Sequence, residues 1–105
     1  MQRGDIYELR PARRTGHEQQ GRRFGVVVQS DALLPRSVVL VAPTSRRARP
    51  ASFRPEIVID AETTRVLVEQ VGALDVGRLG ERIALASTEE MWSIDESLMT
   101  VFGLQ

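Results

Sequence analysis

Short apolar runs closed off by turn-forming residues, followed by a single segment of different period, set the fold class of this chain. The runs cover residues 6–9, 24–29, 37–42, 56–60, 64–70 and 82–86. Stretches of four to seven residues rich in Val, Ile and Leu, bounded by Gly, Pro, Ser and Asp, carry the strand signature. Runs 24–29 and 37–42 are apolar at consecutive positions, which predicts burial on both faces. From 88 to 102 the period changes. Ser87 and Glu90 form a capping box, Glu89 adds favourable charge to the first turn, and Gly103 supplies a stop. At 100° per residue Met91, Ile94, Leu98, Val101 and Phe102 share one side, and Trp92 and Met99 widen that arc to about 180°, more than one sheet needs. Ser93, Glu96, Ser97 and Thr100 share the other side. The excess width points to a second contact such as a dimer partner. The expected architecture is α+β, mainly β, in one domain over 1–105.

Several function classes drop out on composition. The longest apolar run, residues 38–42, is far short of the ~20 residues of a membrane span, and the first residues lack the apolar stretch of a signal peptide. Without Cys there is no disulfide scaffold or thiolate metal site, and a lone His excludes a multi-histidine zinc site. A cytoplasmic protein with no membrane partner, no metal and no cofactor is expected.

The formal net charge is zero, but the charges are segregated. Residues 1–54 hold 11 arginines against four acids, and residues 55–105 hold three against ten. Such asymmetry points to a polyanionic partner. Eight of those 11 arginines lie in two long segments, 10–22 and 43–55, which are expected to form one positive rim at the same end of a sheet. The absence of both Lys and Asn fits a GC-rich genome, so the choice of Arg carries less weight than its placement. Aromatic residues make up 5% of the chain, which limits base stacking to Phe24, Phe53 and Tyr7 near the loops.

RNA can be cut without a metal because its 2′-hydroxyl is itself a nucleophile. A protein must then supply a proton acceptor, a proton donor for the leaving oxygen, and cations or hydroxyls aimed at the phosphorane oxygens. His17 is the only side chain whose unperturbed pKa lies near neutrality. Arg23 can hold a phosphate bidentately, and Thr44 or Ser45 can donate a hydroxyl hydrogen bond. Glu69, on the strand expected over 64–70, shares a face with Arg65 and Leu67, and apolar surroundings there would raise its pKa toward that of a general base.

Residues 3–7 (RGDIY), 16–23 (GHEQQGRR), 26–29 (VVVQ), Pro43-Thr44-Ser45, Glu69-Gln70, Asp75 with Arg78-Leu79, and the helix ending Phe102-Gly103-Leu104 together resemble the MazF/PemK toxins of bacterial type II toxin–antitoxin systems. The most specific element is GHEQQG followed by an Arg and a Val run. The RGD tripeptide alone is not read as an integrin ligand. The resemblance implies an SH3-barrel-like antiparallel sheet with a C-terminal helix (the MazF/PemK/CcdB-like fold) acting as a homodimer. It implies a metal-independent, sequence-selective endoribonuclease that cuts single-stranded RNA to 2′,3′-cyclic phosphate and 5′-hydroxyl ends, stops translation and growth, and is held in check by an antitoxin with an acidic C-terminal segment. Family catalytic positions fall on Arg23 and Thr44; PemK-type members add His17, Glu18 and Glu69. Gly21 and Gln70 belong to the same motifs. RNA contacts are expected from Glu18, Gln20, Arg22, Ser45, Arg46, Arg47 and Gln70.

The chain departs from the pattern at three places. Phe24 replaces a Pro, Leu67 stands where PemK-type members carry a second catalytic Arg, and Gly72-Ala73 replace Arg-Thr. An Arg proton donor therefore does not carry over, and the expected division of labour is Arg23 and Thr44 on the phosphorane with Glu69 or His17 moving protons. The alternatives are a non-catalytic toxin on the same scaffold, poisoning gyrase through Trp92 and the helix end, and a non-enzymatic SH3-like nucleic-acid-binding module.

Overall fold

The computed structural model describes residues 1–11 and 22–105. Seven strands, β1 (Asp5–Leu9), β2 (Phe24–Val27), β3 (Val38–Ser45), β4 (Glu56–Ile59), β5 (Glu62–Val66), β6 (Gly72–Asp75) and β7 (Leu79–Leu85), precede one helix, α1 (Thr88–Phe102). Every pairing is antiparallel, in the order β4-β5-β3-β2-β1-β7, and the sheet curls into a half-barrel closed by the helix. That is the SH3-like, mainly β architecture expected from the sequence.

β3 organises the sheet. One of its edges pairs with β2 through Val41–Pro43, while the other is divided: Val38–Val41 pair with β6, and Thr44 and Ser45 pair with β5. Between β5 and β6 the chain makes a 3₁₀ turn over Val68–Gln70, anchored by the Leu67 N–H donating to the Pro43 carbonyl at 2.8 Å. The run 64–70 is thus not one strand. It ends at Val66, and Glu69 sits in the turn. β6 is a strand that the sequence pattern left unassigned.

Two apolar clusters cover the two faces. Ile6, Val26, Val28, Ala42, Ile57, Val66, Val68 and Ile94 form the core under the helix, and Val27, Val39, Val41 and Leu79 pack on the other side. The consecutive valines of β2 therefore go to opposite faces, as a strand period of two requires. Two-faced burial fails in the first half of β3, where Val38 and Leu40 are exposed.

The capping box is formed: the Ser87 hydroxyl accepts from the Glu90 N–H at 3.0 Å, and the Glu90 carboxylate accepts from the Ser87 N–H at 2.9 Å. The second Glu90 oxygen accepts from the Val58 N–H at 2.9 Å, joining the helix start to β4. Ile94 and Ser97 are the buried helix residues, flanked by half-buried Met91, Leu98 and Val101, and Gly103 closes the helix in a left-handed conformation. This stripe is narrower than the expected arc. Ser97 belongs to it, whereas Phe102 (58% exposed) does not, and Trp92 (65%) and Met99 remain uncovered. Asp5 of the RGD tripeptide is only 1% exposed; it accepts from the Gln2 N–H and from Arg82, so its role is structural. No described helix is long and apolar enough to cross a membrane.

Candidate active site

Ion pairing redistributes the segregated charge. Arg3 pairs with Asp95, Arg46 with Glu62 and Arg54 with Glu69, each joining the basic half to the acidic half, while Arg82 pairs with Asp5 in the reverse sense. These pairs offset part of the asymmetry along the chain, because the fold brings distant segments together. What survives is local.

It survives in a cleft of about 450 Å³ lined by Arg10, Arg22, Arg23 and Arg78 over an apolar floor that includes Leu9, Val41, Pro43 and Leu74. Gln70 and Gly72 complete the wall, and Glu8 is the one carboxylate among its described lining residues. Glu8 accepts from Arg22 at 3.0 Å, a bond that raises the Arg22 pKa above its ordinary value and keeps that guanidinium charged. Arg10 and Arg78 brace each other through backbone carbonyls: the Arg78 Nε donates to the Arg10 carbonyl at 2.6 Å, and Arg10 Nη1 donates to the Gly77 carbonyl at 3.2 Å. Neither forms an ion pair among the described residues. Gly72, one of the three departures, opens space in this wall.

Arg22 also lines a second cleft, of about 460 Å³, with Phe24, Thr44, Ser45, Arg46, Ile59, Asp60, Glu62 and Thr64. Thr44 is 8% exposed and its hydroxyl donates to the Phe24 carbonyl at 3.3 Å. The expected pair Arg23 and Thr44 therefore lines two adjoining clefts, bridged by Arg22. Arg47 lines neither cleft, and its N–H donates to the Ser45 hydroxyl at 3.2 Å.

Glu69 differs most from expectation. It lines neither cleft, and its Oε2 accepts from Arg54 Nε at 3.0 Å and Nη2 at 2.6 Å. The Arg54 guanidinium holds the Glu69 pKa below its ordinary value, against the upward push of burial. A carboxylate so paired is a poorer proton acceptor than one in apolar surroundings. Arg54 is 15 residues away in sequence, and nothing local announces the pairing. Its other contacts, to the Arg49 carbonyl at 3.1 Å and the Phe53 ring at 5.8 Å, make it the anchor of the β3–β4 loop. His17, Glu18, Gln20 and Gly21 lie outside the described residues, but Pro11 and Arg22, which bracket that segment, both line the first cleft. Among the described residues no three His, Asp or Glu side chains gather in a way that could hold a metal ion.

The curled sheet, single C-terminal helix and arginine-lined cleft define the class. This chain belongs to the family of PemK-like, MazF-like toxins of type II toxin–antitoxin systems, whose family model matches residues 2–102. It is 37% identical over 105 residues, covering 97% of both chains, to a Mycobacterium tuberculosis protein, Rv3098A/RVBD_3098A, that bears the name of a candidate toxin. The fold is shared with a mycobacterial endoribonuclease solved in complex with its cognate antitoxin (TM-score 0.80, 19% identity, 100% of this chain and 97% of that one). It is shared equally with the M. tuberculosis toxin MazF-mt6 (TM-score 0.79, 15% identity, 96% and 98%).

Proposed function

We propose that this toxin is a metal-independent endoribonuclease that cuts single-stranded RNA by transesterification and so arrests translation and growth. The observation that carries the reading is the first cleft, lined by Arg10, Arg22, Arg23 and Arg78 with Glu8 as the one carboxylate among its described lining residues. The mechanism needs no metal because the RNA 2′-oxygen attacks the neighbouring phosphorus. The O2′ proton leaves to a base, the P–O5′ bond breaks, and O5′ takes up a proton, giving a 2′,3′-cyclic phosphate and a 5′-hydroxyl. Arg23 stabilises the charge that develops on the phosphorane oxygens, Arg10 and Arg78 hold the flanking phosphate, and the Thr44 hydroxyl joins them from the edge of the adjoining cleft on turning away from the Phe24 carbonyl. His17 moves the protons. Glu69, drawn to Arg54, acts as a positioning residue for the turn that carries Gln70 into the cleft.

The protein works as a cytoplasmic homodimer through the uncovered helix face of Trp92, Met99 and Phe102, which is the excess apolar width of α1. Its antitoxin, with an acidic segment, inhibits by occupying the arginine cleft, in keeping with the relative solved with its cognate antitoxin. Incubating purified protein with a long RNA in EDTA tests the reading. Cleavage with cyclic-phosphate ends supports it; cleavage abolished by EDTA overturns the metal-free mechanism. An intact RNA together with trapped gyrase complexes favours the non-catalytic toxin instead.

A further inference from the structure

We infer that the second cleft is a nucleobase subsite beside the phosphate-binding cleft, taking a base that presents an amino group, with Arg22 and Phe24 as its stacking platform and Asp60 as the acceptor at its edge. The inference rests on the ribonuclease reading above and adds to it the class of nucleotide chosen. The two clefts share Arg22, so a chain whose phosphate lies in the first has its neighbouring base beside the second. The Arg22 guanidinium stacks over the Phe24 ring, 5.1 Å from its centroid, and is held there by Glu8, which leaves its outer plane turned to solvent. Unpaired RNA bases stack on both aromatic rings and guanidinium planes.

The polar edge is equally specific. Glu62 is committed to Arg46, whereas the Asp60 carboxylate accepts no hydrogen bond among the described residues and acts on Arg22 through its charge. Asp60 and Ala61 make the β4–β5 hairpin turn at φ 52° and 64°, a left-handed pair that is uncommon for non-glycine residues. Positive φ at both positions is what a two-residue type I′ hairpin requires, and the turn sets Asp60 on the wall of the second cleft. A carboxylate accepts from the exocyclic amino groups of guanine, adenine and cytosine, whereas uracil offers it only the N3–H, flanked by two carbonyl oxygens that repel it. A volume of about 460 Å³ falls in the range of small-ligand sites.

The test is a digest of a randomised single-stranded RNA library with 5′-hydroxyl end mapping. It is paired with fluorescence-anisotropy binding of the selected sequence, carrying a 2′-deoxy sugar at the cut and G, A, C or U at the selected position. At one position next to the cut, wild type should take an amino-bearing base over uracil by about 10-fold. Asp60→Asn keeps a residue that tolerates positive φ and should bring that preference within about twofold. Asp60→Gly, which suits the turn even better, should do the same. Phe24→Leu should weaken binding of every sequence by about 10-fold and leave the preference intact. Cleavage without an amino-base preference beside the cut, or with one that Asp60→Asn and Asp60→Gly retain, overturns the subsite and leaves the ribonuclease standing. A wild type that neither binds nor cuts RNA overturns both.

Discussion

Breaking the Arg54–Glu69 pair gives a quantitative test of the revised role of Glu69. Both side chains are about a quarter exposed, 24% and 26%, and two guanidinium N–H groups converge on one carboxylate oxygen. Exposed pairs contribute about 0.2–1 kcal/mol, and removing one partner of a fully buried pair costs about 3–5 kcal/mol. At this exposure Arg54→Met should destabilise by about 2 kcal/mol, since Glu69 Oε1 is already buried without a partner. That is a fall in Tm of about 10 °C for a domain of this size. Glu69→Gln keeps an acceptor for Arg54 and loses only the charge, so about 1 kcal/mol is expected. The pH dependence has a definite sign. A carboxylate with a lowered folded pKa stabilises above its unfolded value, about 4.3, and loses that contribution as the pH falls through the folded value. Thermal melts at pH 7 should separate wild type from Glu69→Gln, and the gap should narrow as the pH falls below about 4.3 and through the lowered folded value. A gap that is equal at both pH values, or an Arg54→Met protein within 0.5 kcal/mol of wild type, refutes the argument. RNA cleavage adds a functional arm: the two single variants should slow it to a similar, modest degree. A 10³-fold loss in Glu69→Gln with normal activity in Arg54→Met would identify Glu69 as the proton acceptor instead.

Other perturbations reach different parts of the account. A Cβ built on Gly25 lies 2.5 Å from Val41 Cγ1 and about 3.1 Å from Leu9, so Gly25→Ala should destabilise by about 1–3 kcal/mol, read as a lower urea midpoint. RNA binding should weaken with salt at a log–log slope of about −0.7 per neutralised phosphate, and a salt-independent affinity measured by anisotropy would contradict the arginine cleft. Trp92→Arg should weaken self-association at least about 30-fold in sedimentation experiments without lowering the Tm of the monomer. An unchanged dimer would remove the helix face from the interface.

The parts of the fold readable in the sequence are those fixed locally. The valines of β2, the Ser87–Glu90 capping box and the Gly103 stop depend on near neighbours, so their pattern survives into three dimensions. The same holds for the family motifs, which follow one another in order along the chain. What the sequence hid was long-range. β6 is a four-residue strand, Gly72–Asp75, that exists because β3 offers half an edge. Glu69 reads as a strand carboxylate until the turn at Val68–Gln70 and the arrival of Arg54 reverse its expected pKa shift. Arg10 and Arg78 meet across 68 residues; the sequence places Arg10 in a general basic rim and Arg78 in a family motif, and only the fold joins them. Ser97 reads as polar by its hydroxyl although its helical position puts it on the buried stripe, whereas Phe102, apolar and on the same arc, stays exposed in the last turn.

The central claim is that guanidinium groups in the first cleft, without a metal, stabilise the transition state of RNA cleavage. Single-turnover cleavage of a single-stranded RNA in EDTA, comparing wild type with Arg23→Ala, measures it most directly. The Arg23→Ala rate should be lower by about 10² to 10³, with the same 2′,3′-cyclic phosphate product. An Arg23→Ala protein that cuts within threefold of wild type would contradict it.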